Sequence, residues 1–162
     1  MFIRKKRVKG KEYAYIVRNK WTKNGPRQRV SRYLGRVIPL SLERQIESDV
    51  ESFDASREEF LRKIIACELM QHGFNRDGET LKKGEVIFDA KELACKNTSG
   101  KNVVLEMNEG FMCGHTLNAL MNFKEKGFPA ETGAKLASLF LGAGLSVPKE
   151  IFVEIFEKYY SA

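Results

Sequence analysis

The uneven distribution of charge is the feature that most constrains this chain. Residues 1–36 contain thirteen Lys and Arg side chains and a single acid, Glu12, whereas residues 37–162 contain fifteen basic and twenty acidic side chains. A basic segment that neutralises phosphates releases condensed counterions, which favours binding to a polyanion. The charge pattern therefore predicts a basic, polyanion-binding head on a mildly acidic body. A solvated basic surface without a partner is the alternative.

The composition excludes several classes of protein. Hydrophobic residues make up 43% of the 162 residues and charged residues 30%, which is typical of a globular chain and not of a disordered one. No apolar run of about 18 residues is present and no apolar segment follows the basic N-terminus, so we expect neither a transmembrane helix nor a signal peptide. Three cysteines without a CxxC pair argue against a disulfide scaffold. We expect a cytoplasmic protein with no membrane partner.

Residues 1–37 have the pattern of a three-stranded antiparallel meander, because aromatic and β-branched side chains alternate with turn signals. The three strands are predicted at residues 2–8, 12–21 and 27–34. Asn24-Gly25 is the expected hairpin loop, since the favoured two-residue turn needs positive φ at both central positions. Because Pro26 follows directly, a loop longer than two residues stays open as an alternative. Gly35 is expected to end the third strand.

The alternation of side chains along these strands then predicts two different faces. With Asn24-Gly25 as the loop, Lys20 should lie opposite Arg29 and Arg18 opposite Ser31. The face predicted to form core comprises Tyr13, Tyr15, Val17, Trp21, Val30 and Leu34. The face predicted to contact phosphate comprises Arg18, Lys20, Arg27, Arg29 and Ser31. A register slip of one residue would exchange these assignments.

The predicted nucleic-acid-binding residues are the long cations of the meander and one aromatic residue. They are Arg4, Lys5, Lys6, Arg7, Arg18, Lys20, Lys23, Arg27, Arg29, Arg32 and Tyr33. Tyr33 falls on the basic face, where its ring can stack on a base, whereas Tyr13, Tyr15 and Trp21 are assigned to the core. Phosphate contacts are expected to dominate, so binding should weaken steeply with salt.

The rest of the chain completes an α+β prediction with three parts: the meander at 1–37, an acidic linker helix at 38–55, and an α/β body at 56–162. Ser41 is the expected N-cap of the linker helix. Ser56 and Glu59 form a capping box for a helix at 56–73. A second hairpin is predicted at residues 85–95 and 102–107, followed by three C-terminal helices at 115–126, 130–143 and 148–160.

Side chains that could perform catalysis or bind a metal are few. Cys113 and His115 stand two residues apart, a spacing at which their side chains do not naturally face each other. Together with Cys67, Cys95 and His72 they match no standard zinc spacing. We therefore predict no catalytic residue, no metal site and no cofactor.

The motif Arg27-Gln28-Arg29-Val30, followed by Tyr33-Leu34-Gly35, stands in a basic, tyrosine-rich context. Over residues 1–37 it resembles the N-terminal segment of insertion-sequence transposases. The order of three strands and then a helix is similar to the arm-binding domains of phage-type integrases, which lay a three-stranded sheet in the DNA groove. The chain lacks the acidic triad of a transposase and the Arg/His/Tyr set of a tyrosine recombinase. The resemblance therefore implies DNA binding by the sheet and not recombination.

These observations together predict a non-enzymatic nucleic-acid-binding protein, with DNA favoured over RNA, and three alternatives stay open. An RNA- or ribosome-associated accessory protein would need accessible aromatic rings such as Tyr33 and Trp21. A small enzyme or ligand-binding protein with its site in residues 56–162 would need an apolar pocket with polar groups near His115 and Glu109. A protein-interaction module or homodimer would need exposed apolar side chains on the helix at 148–160.

Overall fold

The computed structural model describes residues 1–46, 55–125 and 127–161, and within these ranges the predicted α+β class is confirmed. The strands are β1 (Phe2–Val8), β2 (Lys11–Thr22), β3 (Gly25–Pro39), β4 (Asn75–Asp77), β5 (Thr80–Lys83), β6 (Val86–Asp89), β7 (Ala94–Asn97), β8 (Val103–Met107) and β9 (Gly110–Met112). The helices are α1 (Arg57–Gln71), α2 (Gly114–Asn122), α3 (Pro129–Gly142) and α4 (Lys149–Tyr159). The strands form a five-stranded sheet, ordered β1-β2-β3-β8-β9, and a four-stranded sheet, ordered β4-β5-β6-β7.

The N-terminal meander is confirmed, but its third strand is longer than predicted. β1 pairs with β2 and β2 with β3, both antiparallel. β3 does not end at Gly35; it continues to Pro39 and pairs in parallel with β8, from Arg36 opposite Val103 to Pro39 opposite Glu106. The meander and the body therefore contribute strands to one sheet.

Gly35 allows this junction to form. Its φ is +143°, and a Cβ built at this position would lie 2.5 Å from the carbonyl oxygen of Asn102. Only glycine combines this backbone conformation with so close an approach of two backbone segments. The parallel pairing with β8 begins at the next residue, Arg36.

The hairpin between β2 and β3 differs in register from the prediction. Thr22 pairs with Gly25, so Lys23 and Asn24 form the loop, and the Thr22 hydroxyl donates a hydrogen bond to the Gly25 carbonyl at 2.7 Å. Lys20 consequently lies opposite Arg27 and not Arg29. This is a shift of two residues, and because side chains alternate with a period of two, the assignment of cations to one face is unchanged.

Two bulges on β3 then change the faces nearer the base of the hairpin. The pairing skips Ser31 and Leu34, so that Tyr15 lies opposite Tyr33 and Ala14 opposite Gly35. Each bulge adds one unpaired residue and shifts the register by one. The predicted core face is therefore wrong here: Tyr33 joins the predicted core tyrosines on one side, and Leu34 is buried on the other.

Two apolar cores result. The smaller core lies beneath the meander and comprises Ala14, Ile16, Leu34, Val37, Val104 and Cys113. The larger core packs α1 and the three C-terminal helices against both sheets, with Phe60, Phe74, Phe88 and Leu105 among its fully buried members. Val104 and Leu105 thus enter different cores, as expected for a strand that is covered on both faces.

The predicted linker helix is absent over residues 40–46, which form neither helix nor strand; residues 47–54 of that prediction lie outside the described residues. The backbone N–H groups of Glu43 and Arg44 instead donate to the Gln71 carbonyl, at 2.9 and 3.1 Å. The Arg44 side chain donates to the carbonyls of Met70 and Phe74. The segment therefore satisfies carbonyls at the C-terminal end of α1 that have no partner within the helix.

The body differs from the prediction mainly in its strand pairing. β6 pairs with β7, whereas β8 pairs with β3 and β9, so the second hairpin at 85–95 and 102–107 is wrong. One isolated bridge, Lys96 to Asn102, connects β7 to the residue just before β8. β4 and β5 were not predicted. The capping box of Ser56 and Glu59 and the three C-terminal helices are confirmed.

A buried carboxylate ties three parts of the body together. Glu68 of α1 is 4% exposed. It accepts a hydrogen bond at 2.6 Å from the side-chain amide of Asn108, in the β8–β9 turn, and another at 3.1 Å from the backbone N–H of Ser146, before α4. Buried polar groups left without a partner are costly, so these bonds fix how the turn and the α3–α4 connection pack on α1.

We expect Gly35→Ala to lower the free energy of unfolding by about 2–4 kcal/mol, because the new methyl group meets the Asn102 carbonyl in a backbone conformation that disfavours a side chain. Gly25→Ala is the matched control, since Gly25 also has positive φ (+101°) but has no neighbour within 4 Å of a built Cβ. Urea unfolding measures both. Equal losses of unfolding free energy in the two variants would contradict the close approach of the Asn102 carbonyl to Gly35.

We expect Glu68→Gln to lower the free energy of unfolding by about 1–3 kcal/mol, since the new amide places a donor against either Asn108 or Ser146. Glu154→Gln removes the same charge from an exposed position on α4 and should change the free energy of unfolding by less than about 0.5 kcal/mol. Thermal and urea unfolding provide the comparison. A Glu68→Gln variant as stable as the control would refute this role.

Candidate nucleic-acid interface

A two-stranded ribbon extends from the meander. β1 begins at Phe2, which lies opposite Val17, so β2 and β3 continue past that point with only each other as partners in the described chain. We call residues 18–29 the arm. Its residues are exposed except for the half-buried Gly25. The arm is therefore free to contact a ligand on both of its faces.

One face of the arm carries four cations. Arg18 lies opposite Arg29 and Lys20 opposite Arg27, and directly opposed residues of an antiparallel pair share a face. We call these four residues the cationic face; Lys23 stands in the loop beside it. Like charges placed opposite each other destabilise a strand pair. Among the described residues, no carboxylate forms an ion pair with any of the four.

The other face of the arm carries the only tryptophan of the chain. Trp21 lies opposite Pro26 and is 81% exposed, so its assignment to the core is wrong. The reason is its position beyond the end of β1, where no further strand or helix of the described chain covers the ribbon. On the same face, Gln28 accepts a hydrogen bond from the Arg4 guanidinium.

A cluster of three tyrosines continues this face onto the sheet. The ring centroid of Tyr33 lies 5.2 Å from that of Tyr15 and 6.3 Å from that of Tyr13. Three cations lie opposite these tyrosines in the strand register: Arg4 opposite Tyr15, and Lys6 and Arg36 opposite Tyr13. We call these six residues the tyrosine face. Tyr33 is 54% exposed, and partial burial beside the other two tyrosines raises the pKa of its phenol.

The four predicted cations of β1 divide between the two sides of the sheet. Arg4 and Lys6 belong to the tyrosine face. Lys5 instead forms ion pairs with Glu106 at 2.9 Å and with Glu12 at 3.4 Å, and the hydrogen bond to Glu106 raises the pKa of its ammonium group. Arg7 lies opposite Glu12. Lys5 and Arg7 are thus placed beside carboxylates, which weakens their case as phosphate ligands.

Arg32, the remaining predicted residue, lines a polar cavity at the base of the arm. The cavity measures about 220 Å³ and lies between β3, β7, β8 and the start of α2. Its lining also includes Tyr33, Asn102, His115 and Asn118. Partial burial and the nearby Arg32 guanidinium lower the pKa of His115, which favours the neutral imidazole. The cavity therefore brings one cation and several neutral polar groups beside Tyr33.

The residues considered for catalysis do not form an acid–base pair. Cys113 is buried, and its thiol lies 3.7 Å from the Thr116 hydroxyl. Glu109 and His115 both line an apolar groove of about 270 Å³, but within the described chain no hydrogen bond or ion pair joins them. No group of three or more potential metal-ligating His, Cys, Asp or Glu residues occurs in the part of the chain that the structure describes.

The C-terminal helix uses its apolar side chains within the molecule. Ile151, Phe152 and Phe156 are half-buried and pack against the larger core, with the Phe152 ring centroid 6.1 Å from that of Phe140. The exposed apolar surface that a homodimer through this helix would need is therefore not present on these three residues. No helix in the described ranges is long and apolar enough to span a bilayer.

Comparisons with known proteins found no relative. No protein-family model matches the chain, and no curated protein or solved structure is significantly similar to it. The resemblance of residues 1–37 to transposase and integrase segments stays a prediction. The function is therefore inferred from the arm and the sheet.

Three residues of the tyrosine face were not predicted from the sequence as binding residues: Arg36, Tyr13 and Tyr15. Arg36 lies beyond the predicted end of the third strand, and Tyr13 and Tyr15 were predicted to lie in the core. Gly35 followed by a further apolar run, Val37-Ile38, was a signal that the strand continues. No signal in one sequence identifies the two bulges.

We expect the fluorescence of Trp21 to be that of an indole in water, because most of its surface is exposed. Its emission maximum should change little on unfolding in guanidinium chloride. Iodide should quench it more efficiently than caesium, since the surrounding arm is cationic. A blue-shifted emission spectrum of the native protein, with Trp21 protected from iodide, would contradict the exposure of the arm.

Proposed function

We propose that this protein binds nucleic acid, with duplex DNA preferred, through the cationic face of the arm. The proposal rests on two pairs of directly opposed cations, Arg18 with Arg29 and Lys20 with Arg27, which have no carboxylate partner in the described chain. Repulsion within each pair destabilises the folded arm. Binding of a polyanion decreases this repulsion, because the phosphates neutralise both members of the pair.

The shape of the arm favours DNA over duplex RNA. The major groove of B-DNA is about 12 Å wide and admits a two-stranded ribbon, whereas the major groove of A-form RNA is too deep and narrow for side chains to read. The arm is such a ribbon, with no third strand beside it in the described chain. Arginines on its cationic face can reach base edges as well as phosphates.

The number of cations sets the expected salt dependence. Lys23 adds a fifth positive charge to the four of the cationic face. Each phosphate that is neutralised contributes a slope of about −0.9 to the dependence of log K on log salt concentration. Engagement of the whole arm therefore corresponds to a slope of about −4.5. We place this activity in the cytoplasm, which suits the free thiols of Cys67, Cys95 and Cys113.

A second candidate function, an RNA- or ribosome-associated accessory role, is favoured by a different observation. Trp21 and Tyr33 are both exposed, and proteins that recognise unpaired RNA bases use accessible aromatic rings. Binding of structured RNA in preference to duplex DNA would favour this candidate.

We expect the double variant Arg27→Glu/Arg29→Glu to bind a 20-bp DNA duplex at least about tenfold more weakly at low salt and to show a much smaller salt slope. Its free energy of unfolding should not fall. The new glutamates lie opposite Lys20 and Arg18, so two repulsive cross-strand pairs become attractive, each by about 0.2–1 kcal/mol. Fluorescence anisotropy across a salt series and urea unfolding measure the two effects.

Lys63→Glu/Lys149→Glu is the matched control. It reverses the same number of charges at exposed positions on α1 and α4. Because these lysines lie outside the arm, duplex affinity should change only through net charge, by much less than in the arm variant. Equal weakening in both variants would show a diffuse charge effect and would contradict the proposed interface.

A further inference from the structure

We infer that the tyrosine face is a second nucleic-acid site, one that binds unpaired bases of a single strand. It lies on the side of the sheet opposite the cationic face, since Tyr13, Tyr15 and Trp21 occupy odd positions of β2 whereas Arg18 and Lys20 occupy even ones. It shares with the duplex interface only the class of ligand, and its exposed rings, Trp21 and Tyr33, are those on which the second candidate function rests. Separate variants therefore test the two sites.

Exposed aromatic rings stand at two places on this side of the sheet, Tyr33 at the base of the arm and Trp21 near its tip. Tyr33 stands half-exposed against Tyr15 and Tyr13, and further along β2 the alternation brings Trp21 to the same side. Tyr15 and Trp21 are six residues apart, about 20 Å along an extended strand. That distance accommodates several nucleotides in sequence. An accessible ring can stack on any base whose own face is free.

The charge around the rings selects a polyanion. Arg4, Lys6 and Arg36 lie opposite the tyrosines, and no carboxylate of the described chain forms an ion pair with them. Carboxylates do pair with Lys5 on the other side of the same strand, so the two sides of β1 differ in charge balance. Aromatic rings interleaved with unneutralised cations are the combination that single-strand binding uses, stacking for the bases and cations for the backbone.

The geometry favours a single strand over a duplex on this face. In a duplex the base faces are stacked on one another, so Tyr33 and Trp21 could meet only sugar edges and phosphates. The cationic face, by contrast, has no aromatic side chain and suits a backbone of either form. One sheet thus presents two surfaces of different ligand chemistry.

The test compares a fluorescent 12-nucleotide single strand, as DNA and as RNA, with an abasic strand of equal length and with a duplex. The wild-type protein should bind the base-bearing strand about tenfold or more tightly than the abasic strand, which keeps the phosphates but offers nothing to stack. Titration with the base-bearing strand should also quench Trp21. Equal affinity for the two strands would overturn the inference.

Two substitutions at one position separate stacking from fold. Tyr33→Ala should abolish the preference for the base-bearing strand and leave duplex affinity within about twofold, whereas Tyr33→Phe, which keeps the ring, should retain the preference. Phe128→Ala removes another exposed ring, before α3, and should change neither affinity. A preference that survives in Tyr33→Ala overturns the inference.

The arm variant distinguishes this site from the proposed function. Arg27→Glu/Arg29→Glu should lose duplex binding while retaining the preference for a base-bearing over an abasic strand. Duplex binding without that preference in the wild-type protein would overturn the second site and leave the first intact. Preference for the base-bearing strand without duplex binding would refute the proposed duplex interface and leave the tyrosine face as the binding site.

Discussion

The parallel pairing of β3 with β8 is the interaction on which the rest of the structure depends. Only four residues of β3, from Arg36 to Pro39, make this pairing, and they join strands that are far apart in sequence. Such a contact closes a long loop and forms at a high cost in chain entropy. The glycine before it removes the side chain that would hold the two backbones apart. Because β2 and β1 are added to the outer edge of β3, this junction orients both faces of the meander.

Electrostatic repulsion between exposed side chains has a structural consequence for the arm, apart from any ligand. A long, free two-stranded ribbon presents unpaired backbone groups along both edges, which invites pairing with another chain. Arg18, Lys20, Arg27 and Arg29 repel a second copy of the same ribbon, so the arm is protected from edge-to-edge association. The cations that would contact a polyanion therefore also disfavour edge-to-edge pairing of the free protein.

The sequence predicted local features well and long-range pairing poorly. The strands of the meander, the capping box at Ser56 and the C-terminal helices depend on neighbouring residues, and all three appear as expected. The partner of β8 depends on a contact with a strand more than sixty residues earlier, which periodicity does not encode. At the site, the cationic face was predicted because a two-residue shift preserves alternation. The tyrosine face was not, because two bulges exchanged Tyr33 and Leu34 between sides.

The bulges at Ser31 and Leu34 also separate the geometry of the tip from that of the base. The register at Thr22–Gly25 and the register at Ala14–Gly35 differ by the two residues that the bulges absorb. An opposed pair of residues added to or removed from the tip leaves the register at the anchored end of the sheet unchanged, because both strands gain or lose the same number of residues. The length of the arm can therefore change, in evolution or by design, while the sheet that holds it keeps its structure.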